Sequence, residues 1–217
     1  MFPQLKRIDS LGTYRRYETP SGKRYPSITA ILGQTVSEEK KKTLSAWQTS
    51  LGKDTAAAYT NAAASKGTNV HSMIERYLYK QDIQSHEFTP EDMNVFNALK
   101  LKLNAISDVI GLEAPLYSDL LEVVGTCDCI AFYKGIPSII DFKTSCRIKS
   151  DKDIADYKLQ CAFYGIAFNE MFETDIDQGV VLMSSMTGFP QQFIFNLSEQ
   201  LPALIERVDS FYNKLSK

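Results

Sequence analysis

The chain has 217 residues, 44% of them apolar and 23% charged, with a formal net charge of −2. That is ordinary for a globular protein with one sizeable core. No apolar run is long enough for a membrane-spanning helix, so no membrane partner is expected. The opening stretch MFPQLKRIDS lacks the apolar segment of a secretory leader, so a cytoplasmic location is expected.

The charge is unevenly spread. Residues 1–66 carry 11 Lys and Arg against 5 Asp and Glu, and residues 67–217 carry 13 against 21. A basic part beside an acidic part suits phosphate contacts next to a cation site, although solvated surfaces also show such asymmetry. Tyr14–Thr19 and Lys23–Tyr25 flank Pro20-Ser21-Gly22. They predict a small hairpin leading to a helix that begins at Pro26-Ser27-Ile28-Thr29. Arg15, Arg16, Lys23 and Arg24 interleave with Tyr14, Tyr17 and Tyr25. Charge for phosphates and rings for bases suit single-stranded nucleic acid; an ordinary exposed hairpin is the other reading.

Ser37 is placed to cap a helix over 37–53. Leu44, Trp47 and Leu51 recur there at helical spacing, so Trp47 is expected in the core rather than as a stacking platform. The Ala-rich stretch from Asp54 to Lys66 reads as another helix, ended by Gly67. Thr68 is expected to cap a third helix, with Val70, Ile74, Tyr77 and Leu78 on its apolar stripe. His71 and Glu75 stand one turn apart on one of its faces, which by itself is also the pattern of a plain surface pair. Thr89-Pro90-Glu91-Asp92 starts a further helix, continued by Val95, Phe96, Leu99, Leu103 and Ile106 to about Val109. Gly111 breaks it, and Glu113–Leu121 reads as a strand.

Two β-rich runs follow, Val123–Tyr133 and Ile136–Lys143, joined by Lys134-Gly135 as a hairpin. Asp128 lies within the first strand. Asp141 and Lys143 end the second and share a face, with Phe142 on the other. Carboxylates at the ends of hydrophobic strands are costly to bury without a purpose. Their oxygens suit a hard cation such as Mg²⁺ or Mn²⁺, and a lysine beside it can stabilise developing negative charge or help activate a water. This is the chemistry of phosphodiester hydrolysis; for the Asp-x-Lys triplet alone, a solvated surface pair is the competing reading. Asp151–Phe172 reads as a helix with Gln160 and Tyr164 one turn apart, and Tyr157, Cys161 and Phe168 for packing. Asp177–Met186 and Gln191–Asn196 read as strands, the second at an edge, and Ser198 as the cap of a final amphipathic helix. The order implies an α/β fold with a mixed central sheet flanked by helices.

Gly125-x-x-Asp128, Asp141-Phe142-Lys143 and Gln160-x-x-x-Tyr164 together resemble the signature of the PD-(D/E)xK nuclease superfamily in its RecB-like branch. Lys66-Gly67-Thr68-x-Val70-His71-x-x-x-Glu75 looks like that branch's helical histidine motif. With Tyr25-Pro26-Ser27-Ile28-Thr29 ahead of it, the chain is similar to the small exonucleases of mitochondrial genome maintenance and of phages. The resemblance implies a restriction-endonuclease-like fold as a single domain over 1–217. Residues 1–66 would be a basic, mostly helical substrate-binding extension, and 67–217 the catalytic core. It implies a metal-dependent DNA exonuclease acting on single strands or ends, in the host cytoplasm if phage-encoded, with recombination or replication proteins as partners. His71, Asp128, Asp141 and the Phe142 carbonyl would hold Mg²⁺ or Mn²⁺. Lys143 would position or activate the attacking water, Glu75 would assist through water, and Glu113 would support the site. Gln160 and Tyr164 would orient the substrate phosphate, and Arg15, Arg16, Arg24, Ser27 and Lys66 would contact substrate.

Some members of the branch carry an iron–sulfur cluster bound by one cysteine upstream of the core and three near the C-terminus. No cysteine precedes Cys127 or follows Cys161, so no cluster is expected. Cys127 and Cys129 are expected to point away from Asp128 into the core. An endonuclease of the same fold and a catalytically inactive nucleic-acid-binding module are the alternatives. No Gly-rich phosphate loop supports an enzyme on an unrelated α/β fold.

Overall fold

The structure is a computed structural model and describes residues 1–8 and 14–215. Three short strands, β1 (Lys6–Ile8), β2 (Arg16–Glu18) and β3 (Arg24–Pro26), form an antiparallel sheet in that order. Ser27 caps α1 (Ile28–Gln34), its Oγ accepting from Ala30 N at 3.2 Å. Ser37 caps α2 (Glu38–Leu51) in the same way through Lys40 N at 3.3 Å.

The break expected at Gly67 is absent. One helix, α3 (Lys53–Leu78), runs through it for 26 residues. A mid-helix glycine costs only about 1 kcal/mol. The Ala-rich first half and the buried face of Val70, Met73 and Ile74 outweigh that. Thr68 therefore does not cap; its hydroxyl donates to the Ala64 carbonyl one turn back, at 3.2 Å. Trp47 is likewise not in the core. It is 38% exposed and α2 has no buried residue. Leu44, Trp47 and Leu51 line an open groove with Tyr59 and Ala63 of α3. Helical spacing identifies an apolar face but not what covers it.

α4 (Pro90–Leu103) opens with the expected cap, a reciprocal Thr89–Asp92 capping box. It stops earlier than expected, because Ile106–Ser118 is already strand β4. The β-branched Ile106, Val109 and Ile110 favour strand. Pairing with β5 (Val123–Tyr133) begins at Ile106↔Tyr133, with an irregularity between Ser107 and Gly111. β6 (Ile136–Ser145), α5 (Ala155–Phe172), β7 (Gln178–Ser185), β8 (Pro190–Asn196) and α6 (Leu201–Leu215) complete the chain. A single 3-10 turn, Asp151–Ile154, precedes α5. Ser198 does not cap α6. Its N–H and hydroxyl instead donate to Asp177 at 2.7 and 3.0 Å.

The central sheet has the order β4-β5-β6-β7-β8. β6 and β7 are parallel and the other neighbours antiparallel, so α5 is the crossover that a parallel pair requires. On one face α1, α5 and α6 bury Ile28, Phe163 and Phe211 against Cys127, Ile139 and Val181. On the other, α3 and α4 bury Met73, Phe96 and Leu99 against Ile140, Phe142 and Val180. This is the mixed sheet between helical layers expected of a restriction-endonuclease-like fold. Phe163 and Phe96 are fully buried, one in each layer, and each adds roughly 1.5–3 kcal/mol of transfer free energy. Among the described residues no helix is long and apolar enough to cross a membrane.

Candidate active site

The site is built where two strands part. The ladder between β5 and β6 ends at Cys129↔Ile140. Asp128 and Asp141, one residue further along, belong to diverging backbones. The Phe142 N–H, which has no ladder partner there, donates to Asp128 Oδ2 at 2.8 Å. A carboxylate thus stands where the next rung would be.

The strands also swap faces at this level. Regular alternation would place Cys127 and Cys129 on one face. Both are fully buried, as expected, but Cys127 lies in the α5 layer and Cys129 in the α3 layer. On β4, Ala114 and Leu112 divide in the same way. Glu113, between the pairs Leu112↔Cys129 and Ala114↔Cys127, absorbs the swap at φ +46°. A left-handed backbone at a residue with a side chain costs about 1–3 kcal/mol and persists where surrounding structure enforces it. It turns Glu113 towards Asp128 at the mouth of the notch.

His71 reaches this point from α3. Its Nδ1 is 3.8 Å from Glu113 Oε1 and 3.8 Å from Asp128 Oδ1. Its Nε2 is 2.8 Å from the Phe142 carbonyl oxygen, with the two rings edge to face. His71, Glu113 and Asp128 each offer one ligand atom, all within 4.8 Å of one another. Asp141 stands deeper. It is fully buried, with Oδ1 accepting from Lys143 Nζ at 2.5 Å and Oδ2 without a hydrogen-bond partner among the described residues. A buried carboxylate oxygen left unpaired costs about 1–3 kcal/mol or more, and a hard cation resolves that cost. Imidazole plus carboxylates is a donor set for Mg²⁺ or Mn²⁺, so the residues fit such an ion.

Electrostatics follow from burial. Burial pushes the Asp141 carboxyl up to about 6, against the pull of Lys143. Burial works against the Lys143 ammonium too, but Asp141 and Asp128 outweigh it and raise its pKa, so Lys143 remains a cation. For His71, burial disfavours the protonated ring, while Glu113 and Asp128 outweigh it and move its pKa upward. The Lys143 ammonium also lies 5.1 Å over the Tyr157 ring. Tyr157, expected only to pack, therefore helps hold that side chain.

Gln160 Nε2 donates to the Tyr164 hydroxyl at 2.9 Å. Tyr164 is 2% exposed, and its ring explains the motif glycine on β5. A Cβ on Gly125 would sit 2.7 Å from Tyr164 Cε1 and 3.1 Å from Phe163 Cε1. Gly125→Ala is expected to lower the melting temperature by roughly 2–12 °C, the size of a 1–3 kcal/mol overpacking cost in a chain of this length. Adding Tyr164→Leu should recover stability but not catalytic activity. Thermal melts of the single and double variants check this, and an unshifted Gly125→Ala melt would refute it.

The other expected substrate contacts separate. Arg15 and Ser27 line one small cavity together with Gln160 and Tyr164. Arg16 instead stacks over Tyr14, 4.8 Å from the ring centroid, and bonds its hydroxyl. Tyr14 in turn packs on Phe211 of α6. Arg24 pairs with Glu18 across the β2–β3 ladder at 3.1 Å. Glu75 shares an open cleft with Gly67, Thr68, His71 and Glu113, whereas Lys66 is not among the residues lining it. Five residues from His71, Lys66 is about 140° around the helix. Glu113 is the residue whose position the sequence understated: a glutamate beside apolar strand positions was the visible signal, but not its backbone conformation.

No protein-family model matches the chain. The chain resembles mitochondrial genome maintenance exonuclease 1. It is 29% identical over 172 residues to that protein from Mus musculus, covering 76% of this chain and 51% of the mouse protein. It is 30% identical over 172 residues to the protein of that name from Xenopus tropicalis, covering 76% and 50%. The chain thus spans about half the length of the curated relatives it matches. Among solved structures it is similar to one described as an exonuclease from Eubacterium rectale, with a TM-score of 0.48 and 14% identity, covering 70% of this chain and 68% of that one.

Proposed function

We propose that the protein is a metal-dependent deoxyribonuclease, an exonuclease acting on single-stranded DNA or DNA ends. The observation that carries this is the meeting of His71, Glu113 and Asp128 with the buried Asp141–Lys143 pair where β5 and β6 part. The resemblance to proteins named exonucleases supports it. His71, Glu113, Asp128 and the free oxygen of Asp141 would hold the ion, which when bound polarises a phosphoryl oxygen and lowers the pKa of a bound water.

The chain's own residues do the rest. Asp141 fixes the Lys143 ammonium, which donates towards the oxygen on which negative charge develops. Gln160 and Tyr164, locked to each other, orient the substrate phosphate. Water oxygen bonds to phosphorus, one phosphorus–oxygen ester bond breaks, and the departing sugar oxygen takes up a proton.

End-labelled linear and circular single-stranded DNA, incubated with Mg²⁺, Mn²⁺ or EDTA, test this. Metal-dependent loss of the linear strand alone is the expected result. Cutting of the circle would make the protein an endonuclease, and a mobility shift without cutting in either metal would leave only a binding module. Within this reading, Glu113→Gly is expected to raise stability by up to about 1–3 kcal/mol, by releasing backbone strain, while cleavage falls at least ten-fold. A parallel drop in both stability and cleavage would remove Glu113 from the site.

A further inference from the structure

Lys143 is aimed by two contacts. Its Nζ donates to Asp141 Oδ1 at 2.5 Å and lies 5.1 Å over the Tyr157 ring, with no other hydrogen bond or ion pair among the described residues. The ammonium sits on a flexible stem, so these two contacts decide where it points. They respond differently to a cation. Asp141 is the buried carboxylate whose second oxygen has no partner among the described residues. With a divalent ion on that oxygen, one carboxylate would be shared between two cations that repel each other, where little water screens them. Its hold on Lys143 would weaken. The ring face takes no part in that competition. It attracts the ammonium through its quadrupole and has no oxygen donor for a hard cation.

The ring is itself held from both sides. Tyr157 stands in the first turn of α5 and is half-buried against the layer of α1, α5 and α6. Ile154, three residues before it, is fully buried. Asp156, its neighbour, is tied to Lys40 of α2 at 2.5 Å and to Arg207 of α6 at 3.0 Å. The Tyr157 hydroxyl makes no hydrogen bond among the described residues, so its contact with Lys143 is made by the ring alone.

We infer that Tyr157 is a positioning residue for Lys143. Its ring keeps the ammonium directed at the reacting phosphate when Asp141 is engaged by a cation. This rests on the nuclease reading above and adds the residue on which the aim of the lysine depends.

A double-mutant cycle on the whole chain tests it, read by single-turnover cleavage of an end-labelled single strand in Mg²⁺ or Mn²⁺. Tyr157→Leu should cleave about ten-fold more slowly than wild type, the size of a partly desolvated cation–π contact, with DNA binding in EDTA retained. Tyr157→Phe keeps the ring and should recover most of that loss. In a Lys143→Ala background, Tyr157→Leu should cost nothing further, because the contact is already gone. A full ten-fold cost in that background overturns the inference, as does Tyr157→Leu cleaving like wild type or Tyr157→Phe as slow as Tyr157→Leu. NMR of lysine-labelled protein gives a readout independent of cleavage. The Lys143 ε-methylene resonance, identified by its loss in Lys143→Ala, should lie upfield through the Tyr157 ring current and stay there when Mg²⁺ is added. It should keep that position in Tyr157→Phe and lose it in Tyr157→Leu. A wild-type resonance at the position of solvent-exposed lysines, with or without Mg²⁺, overturns the inference whatever the variants do. An upfield resonance in a protein that cleaves nothing in either metal would remove the nuclease and keep the placement of Lys143 by Tyr157.

Discussion

Lys143→Ala is expected to reduce cleavage of single-stranded DNA by about 10²–10³-fold, the scale of losing one preorganised donor at the developing charge. Its ammonium is set by two contacts, Asp141 Oδ1 at 2.5 Å and the Tyr157 ring at 5.1 Å. Substitution also leaves Asp141 buried without its cation. That carboxyl, already pushed up to about 6 by burial, then takes a proton rather than remain charged. The fold should therefore survive, and DNA binding in EDTA should persist. Lys143→Arg is expected to rescue poorly, because a planar guanidinium cannot replace a compact ammonium held over a ring. Single-turnover rates with an end-labelled strand, beside anisotropy in EDTA, separate chemistry from binding. Undiminished cleavage by Lys143→Ala would sink the mechanism.

The second large effect is on stability. At a concentration 100 times its dissociation constant, Mg²⁺ or Mn²⁺ should stabilise the protein by about 2.7 kcal/mol. In a chain of this length that is roughly 5–10 °C in melting temperature. The pH dependence follows from Asp141. Its carboxyl titrates near 3.8 unfolded and at about 6 folded. Between those values the metal-free folded state holds a proton that the unfolded chain has lost, so this group makes stability fall as pH rises from about 4 to about 6. A cation binds the ionised carboxylates, so its effect should be full above pH 6 and fade below it. Asp141→Asn should abolish most of the response. Scanning calorimetry at pH 8 and pH 5, with each metal and with EDTA, measures this. An equal shift in wild type and Asp141→Asn would place the ion elsewhere.

What could be read from the residues was the local chemistry. Strand alternation placed Asp141 and Lys143 together, and helical spacing brought Gln160 to Tyr164, because both rules concern neighbours on one element. The face swap at Asp128 was hidden, since alternation assumes a regular backbone and Glu113 is not regular. Gly67 misled because a single helix-breaking residue is a weak signal beside 14 helical residues on one side and 11 on the other. Arg24 looked like a phosphate contact by its charge. Its partner, Glu18, is visible only once the β2–β3 register is known.

The absence of any buried residue in α2 bears on how these measurements are read. Its 14 residues are held mainly by α3 and by the Lys40–Asp156 ion pair at 2.5 Å, so opening them uncovers parts of Leu44, Trp47 and Leu51 but no buried core residue of their own. Amide hydrogens there should exchange with solvent through local openings far cheaper than global unfolding, while those of β5 and β6 wait for the whole sheet to come apart. A melting curve therefore reports on the sheet and its two helical layers. The state of the helical arm has to be followed separately, by exchange rates or by where a protease first cuts.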